Sequence, residues 1–132
     1  MPLSLALGCK VTIIDDTKAL EYYMDEFKEL YSIDVVIKDP MFADVQDDID
    51  DKDLIVYYDS EYQVPLEYYQ HKHNDKDVLI LNTYSSYKHS KNIVYSPEEL
   101  LDLYPMKKVY GCGKIPFVND YFTFYSYGIL DD

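Results

Sequence analysis

The residues best suited to chemistry in this sequence are carboxylates that follow apolar runs. Four aspartates stand at the ends of such runs: Asp15, Asp16, Asp39 and Asp59. In an open parallel sheet, ligands bind beyond the carboxyl ends of the strands, so these side chains would converge if the runs were neighbouring strands. Converging carboxylates repel one another unless a hard cation such as Mg²⁺ neutralises them. The pattern therefore raises the hypothesis of a Mg²⁺ site.

The order of these residues resembles the receiver domains of response regulators. The resemblance is carried by an acidic pair after the first strand, an aspartate after the third, a hydroxyl residue ending the fourth and a lysine near the end of the fifth: Asp15, Asp16, Asp59, Thr83, and Lys108 or Lys114. It implies that Asp59 accepts a phosphoryl group and that Asp15 and Asp16 bind Mg²⁺. This is the alternative functional hypothesis for the chain.

The most acidic stretch lies between residues 39 and 53, where seven of fifteen residues are aspartates. One interpretation is a solvated face lying over the sheet, and the other is a binding surface. Tyrosines suit a binding surface because they bury a large area and keep a hydroxyl group for hydrogen bonding. The predicted partner-binding residues are five aspartates and three tyrosines expected to be exposed: Asp44, Asp47, Asp48, Asp50, Asp51, Tyr62, Tyr68 and Tyr69.

Other candidate sites are weaker. His71 and His73, with Asp75 and Asp77 nearby, offer nitrogen and oxygen ligands for a metal, but the sequence places no third convergent ligand. We therefore interpret residues 71–73 as a charged, solvated loop. The glycines beside Cys112 predict a tight turn. The sequence contains no Gly-rich phosphate loop, nucleophile elbow or CxxC motif, so we expect no enzymatic activity and no cofactor.

The elements that would position these residues follow from apolar periodicity. Strands are predicted at residues 10–15, 33–38, 54–58, 78–81, 93–95, 107–110 and 121–127, and helices at 16 or 17 to about 31, at 65–70 and at 97 to about 104. Helix 97–104 has the clearest start, because Ser96 can cap it, Pro97 suits its first position and Glu99 completes a capping box. A turn is expected at Gly128.

Alternation of strand and helix over the first hundred residues predicts the fold class. We expect one domain over residues 1–132, of the α/β class, with a mostly parallel central sheet flanked by helices and an antiparallel C-terminal strand addition. At 132 residues the chain is long enough to bury a core without disulfide or metal support.

Charge gives the strongest constraint on function. The chain has 25 acidic residues against 12 lysines, no arginine and a formal net charge of −13. The negative electrostatic field of such a chain repels nucleic acid and anionic lipid and attracts basic partners. We therefore expect an acidic protein-binding module that inhibits a DNA- or RNA-processing enzyme by occupying its basic nucleic-acid-binding site, as a viral anti-defence or anti-CRISPR protein would. It should not bind nucleic acid directly.

The expected location is the cytoplasm, and the host cytoplasm if the protein is viral. The N-terminal residues are mildly apolar but lack the basic leading region of a signal peptide, and no apolar run approaches the length of a transmembrane helix. Binding to a membrane is therefore not expected.

Overall fold

The computed structural model of the chain describes residues 10–15, 33–58, 60, 64–84, 92–116 and 122–132. These residues belong to two compact units, residues 1–45 and residues 46–132, called here the first and the second unit. Strand predominates over helix in the described ranges.

The first unit contains a pair of parallel strands. β1 (Val11–Asp15) pairs with β2 (Ile33–Ile37), with Val11 opposite Ile33 and Asp15 opposite Ile37. Both runs are rich in β-branched residues, which favour strands, and both strands were predicted at nearly these bounds. After β2, the carboxylate of Asp39 accepts a hydrogen bond from the backbone N–H of Met41 at 3.0 Å, which forms a turn that ends the extended segment.

The second unit is built on a four-stranded mixed sheet. Its strands are β3 (Leu54–Tyr57), β4 (Asp77–Tyr84), β5 (Met106–Pro116) and β6 (Phe122–Leu130), in the spatial order β3-β4-β6-β5. β3 and β4 are parallel, whereas β6 is antiparallel to both β4 and β5. The described helices of this unit are α1 (Gln46–Asp50), α2 (Pro97–Leu103) and a 3₁₀ turn at Leu66–Tyr68.

One face of this sheet forms the core of the second unit. Val78 and Ile80 of β4 are fully buried, and Phe124 and Leu130 of β6 are 3% and 1% exposed. The burial alternates along both strands, as expected where one face of a sheet is covered. Helix α2 lies against β6 and β5, and Leu100 at its centre is fully buried.

Helix α2 begins as its sequence predicts. The hydroxyl group of Ser96 accepts a hydrogen bond from the backbone N–H of Glu99 at 3.2 Å, and Pro97 takes the first helical position. The carboxylate of Glu99 accepts in turn from the N–H of Tyr95 at 2.7 Å. The bond to Ser96 satisfies a backbone donor that a helix start leaves without an intrahelical acceptor, so the predicted Ser96 cap is confirmed. The carboxylate of Glu99 bonds the N–H of the residue before the cap, one position earlier than the N–H that a capping box uses.

The predicted fold class is wrong. β1 and β2 form their own sheet instead of joining β3 and β4, β6 inserts in antiparallel orientation between β4 and β5, and no helices flank a parallel sheet in the described ranges. Continuous apolar runs identify buried strands but carry no information on which strands become neighbours or in which direction. The single parallel sheet that the resemblance to receiver domains implies is therefore not found among the described residues.

Several predicted elements also differ. Residues 93–95 form no strand, and only a 3₁₀ turn forms within 65–70. Residues 111–113 continue β5 instead of turning, and Gly128 lies inside β6. Glycine favours turns, but in an extended strand it also allows close backbone approach. The helix predicted from 16 or 17 to 31 lies outside the described residues.

Gly128 occupies a crowded point in the sheet. The register of β5 on β6 shifts between Met106 and Lys108 and again between Val109 and Gly111, and Gly128 pairs with Val109 between the two shifts. A Cβ atom built on Gly128 would overlap the carbonyl oxygen of Lys108. The irregular backbone of β5 therefore passes too close to β6 for a side chain at this position.

We expect Gly128→Ala to lower the free energy of unfolding by about 1–3 kcal/mol, because the added methyl group must displace the backbone of β5. The matched control is Gly111→Ala, whose added Cβ would have no atom within 4 Å and should change stability by less than about 0.5 kcal/mol. Urea unfolding of both variants measures the difference. Equal effects at the two positions would contradict the close approach.

Candidate functional site

Two regions of the second unit carry the chemically useful side chains, and the first is the surface around α1. Ile49 is the buried residue of this helix, at 5% exposure. The aspartates exposed to solvent here are Asp47, Asp50, Asp51 and Asp53, while Asp48 is half-buried. Because a single apolar side chain anchors the helix, most of its circumference carries carboxylates. Residues 47–53 are called the acidic segment below.

The acidic segment is held in place by side-chain amides. The Nε2 group of Gln46 donates to Asp50 at 2.9 Å, and the Nδ2 group of Asn74 donates to the same carboxylate oxygen at 2.8 Å. These bonds, first that of Asn74 and then that of Gln46, lower the pKa of Asp50. Gln46 also donates to the carbonyl oxygen of Lys72 at 2.6 Å and accepts from its N–H at 2.7 Å. Asp50 is thus a positioned and ionised carboxylate.

The other predicted partner-binding residues differ in their exposure to solvent. Tyr68 is 59% exposed, as a contact residue requires. Tyr69 is only 6% exposed, so the prediction that it lies at the surface is wrong. Tyr69 follows the 3₁₀ turn in extended backbone, and its ring stacks on that of Tyr57 with centroids 5.6 Å apart. Asp44 is exposed but belongs to the first unit, and Tyr62 lies outside the described residues.

The second region is a buried polar cluster that the sequence did not predict. His71 and His73 are 1% and 0% exposed, so the interpretation of residues 71–73 as a solvated loop is wrong. The antiparallel register of β4 and β6 places Asp77 opposite Ile129, which brings the segment before β4 beside the residues after β6. Asp132 therefore meets His73, and Tyr57 reaches both histidines from the end of β3.

Four side chains form a continuous series of hydrogen bonds in this cluster. The hydroxyl group of Tyr57 lies 2.9 Å from Nε2 of His71 and 2.6 Å from Nε2 of His73. Nδ1 of His73 lies 2.5 Å from Oδ2 of Asp132, which also accepts from the backbone N–H of His73 at 3.1 Å. The side chain of Asp132 is 8% exposed. These four residues are called the buried hydrogen-bond chain.

The direction of these hydrogen bonds follows from the donors available. The carboxylate of Asp132 can only accept, so Nδ1 of His73 carries a hydrogen. Burial lowers the pKa of His73, although the hydrogen bond and charge of Asp132 act in the opposite direction, so the ring is neutral and its Nε2 accepts. Tyr57 therefore donates to His73 and accepts from Nε2–H of His71. The hydrogen bonds run from His71 through Tyr57 and His73 to Asp132.

Tyr57 stays protonated within this chain. Burial, followed by the neighbouring Tyr69 and Asp132, raises the pKa of Tyr57 well above the ordinary value of a phenol. A protonated hydroxyl that both donates and accepts connects the two rings. The arrangement fixes the orientations of both imidazole rings.

A cavity of about 350 Å³ adjoins the buried hydrogen-bond chain. His71 and Asp132 form part of its wall, together with residues of the 3₁₀ turn and the end of α2. The cavity is a concave feature beside this polar cluster. It places the two ends of the buried hydrogen-bond chain beside a space that a small molecule can enter.

The proposed metal ligands are not brought together by the described part of the chain. Asp15 ends β1 in the first unit, while Asp16 and Asp59 lie outside the described residues. Asp39 caps the turn after β2. Among the described residues, no group of three histidine, cysteine, aspartate or glutamate side chains is arranged to bind a metal ion. The Mg²⁺ site at Asp15, Asp16 and Asp59 stays a prediction.

Comparison with protein-family models, with curated proteins and with solved structures found no match to this chain. No helix in the described ranges combines the length and the apolar character needed to cross a bilayer.

The sequence did contain one signal for the buried cluster. Residues 71–73 alternate histidine, lysine and histidine, and in extended backbone alternate side chains point to the same side. Lys72 is exposed while both histidines are buried, as that alternation requires. The partners Tyr57 and Asp132 are 14 and 59 residues away from the histidines they contact, and no local pattern could reveal them.

The lowered pKa of His73 predicts how stability depends on pH. Below about pH 6.5 the unfolded chain binds a proton on this residue while the folded chain does not. The contribution of the neutral His73 ring to the free energy of unfolding is thus complete above about pH 6.5. It is lost as the pH falls through the folded-state pKa of this residue. We expect His73→Asn, whose amide can still donate to Asp132, to lose stability less steeply on acidification. Urea titrations from pH 7.5 to 5 measure this, and identical slopes would contradict it.

We expect Tyr57→Phe to lower the free energy of unfolding by about 1–3 kcal/mol, because the ring nitrogens that the hydroxyl group connects would remain buried without it. Tyr68→Phe is the control, since that residue is 59% exposed and its hydroxyl group can bond to water, and it should have an effect below about 0.5 kcal/mol. Guanidinium unfolding compares the two variants. A neutral result at Tyr57 would show that the hydroxyl group is not needed to satisfy the histidines.

Proposed function

We propose that this chain is an acidic protein-binding module that inhibits a DNA- or RNA-processing enzyme by occupying its basic nucleic-acid-binding site. The observation that carries the proposal is the acidic segment, where exposed aspartates surround one buried anchor on α1. The proposed setting is the cytoplasm, that of the host if the protein is viral, as for an anti-defence or anti-CRISPR inhibitor.

Charge supports this proposal over direct binding of nucleic acid or anionic lipid. The formal net charge is −13, and the lysines lack the planar fork with which arginine grips phosphate. Within the acidic segment the single lysine, Lys52, lies 3.4 Å from Asp51, so it neutralises only a small part of the local charge. A basic groove would gain attraction from the remaining carboxylates.

Preorganisation supports a specific role for Asp50. A carboxylate fixed by two amide donors loses less freedom on binding than one on a mobile side chain. One of the donors, Gln46, is itself held by the backbone of Lys72 through two hydrogen bonds. The negative charge is thus held in a defined position relative to the sheet, as an imitation of phosphate spacing requires.

Exposed aromatic and apolar side chains provide further contact area on the second unit. Tyr68, Tyr95 and Tyr110 are 59%, 67% and 46% exposed. Tyrosine contributes strongly to protein interfaces because it buries area at low entropic cost. Tyr68 keeps the role that the sequence suggested for it, whereas the buried Tyr69 is not part of the proposed surface.

The experiment is capture of basic proteins from a cell lysate on the immobilised chain, with elution by an excess of double-stranded DNA. A partner held through its nucleic-acid site should be released by DNA and by 0.5 M salt, because screening weakens surface electrostatics. We expect the triple variant Asp47→Asn, Asp50→Asn, Asp51→Asn to lose most of this capture while keeping its fold.

The matched control removes three charges elsewhere: Asp34→Asn, Glu67→Gln and Glu98→Gln, all at exposed positions. Its net charge equals that of the first triple variant. Any difference in capture between the two variants therefore depends on where the charges were removed. If both variants lose capture equally, only overall charge matters and the acidic segment is not the binding surface. If DNA releases nothing, the captured partner is not bound through a nucleic-acid site.

A further inference from the structure

The cavity beside the buried hydrogen-bond chain has a wall of unusual composition. Four carboxylates line it: Glu67, Asp102, Asp131 and Asp132. The basic side chains in the same wall are Lys72 and His71, so acidic groups outnumber them even if His71 is charged. The potential inside is therefore negative, in a chain whose overall charge is also negative.

The rest of the wall is apolar and aromatic. Leu66 and Leu103 line the cavity with Pro65, Pro105 and the ring of Tyr69. Tyr69 and His71 are at least nine-tenths buried, and their rings lie 5.1 Å apart. Both rings are held by packing in the core of the second unit, so this part of the wall is rigid. A ligand would find fixed apolar surface between groups of negative charge.

These features specify the chemistry of a ligand. An anion would be repelled, and a bare metal ion would lack a set of three converging ligands among the described residues. A volume of about 350 Å³ is at the lower end of small-molecule sites, which hold apolar groups against walls and orient them with a few polar contacts. Carboxylates separated by apolar surface match cationic nitrogens separated by methylene groups.

We infer that this cavity is a binding site for a small aliphatic polyamine. Its ammonium groups would pair with Asp102 and Asp131 at the exposed rim, and its methylene groups would lie against Leu66, Leu103 and Tyr69. The side chain of Asp132 also faces this space while it accepts the hydrogen bonds of His73. A bound cation therefore contacts the end of the buried hydrogen-bond chain. This site shares no residue with the acidic segment.

The test is an NMR titration of the full chain with spermidine and with 1,4-diaminobutane at 150 mM salt. We expect saturable shifts at the amides of residues 66–72, 102–105 and 131–132. The uncharged analogue 1,4-butanediol tests the need for ammonium groups, and Mg²⁺ tests whether a compact cation suffices. If the diol or Mg²⁺ produces the same shifts at similar concentrations, the polyamine site is wrong.

Charge-matched variants separate this cavity from general attraction to an acidic protein. Asp102→Asn with Asp131→Asn changes two exposed residues of the rim and should weaken spermidine binding about tenfold or more. Asp47→Asn with Asp51→Asn removes the same charge outside the cavity and should change binding less than about twofold. Amide spectra confirm that both variants fold. Equal weakening, or no saturable binding by the unmodified chain, overturns the inference.

Discussion

The antiparallel pairing of β4 with β6 is the interaction on which the second unit depends. Its register extends from Asp77 opposite Ile129 to Tyr84 opposite Phe122, and it joins the parallel pair β3–β4 to the hairpin-like pair β5–β6. The same register accompanies the alternation that buries Val78 and Ile80. It also carries the chain after β6 to the segment before β4, where the buried hydrogen-bond chain forms.

The cost of burying these polar side chains is offset by the hydrogen bonds that they make to one another. A buried imidazole or phenol without a hydrogen bond costs about 1–3 kcal/mol, whereas a formed hydrogen bond contributes about 0.5–1.5 kcal/mol to stability. Tyr57 uses its hydroxyl group as both donor and acceptor, and His73 uses both ring nitrogens. Each member thereby restricts the others to one orientation, as expected where a polar network specifies a unique core.

The two functional proposals use the same excess of negative charge in different environments. On α1 the carboxylates face solvent, where they interact weakly with one another and are available to a large basic surface. At the cavity they surround a small volume with apolar walls, which favours a small cation. Gln46 connects the two regions physically, since it holds both Asp50 and the backbone of Lys72, which precedes His73.

The sequence by itself determined several local elements and the charge. The β-branched runs of β1, β2 and β3, the capped start of α2 and the period-two pattern of β6 were all predictable, because each depends on neighbouring residues. Tertiary structure alone decided the sheet order, the burial of Tyr69 and of the two histidines, and the close approach at Gly128. These features depend on strands and side chains distant in sequence, such as Tyr57 and Asp132, and no local periodicity encodes which distant residues meet.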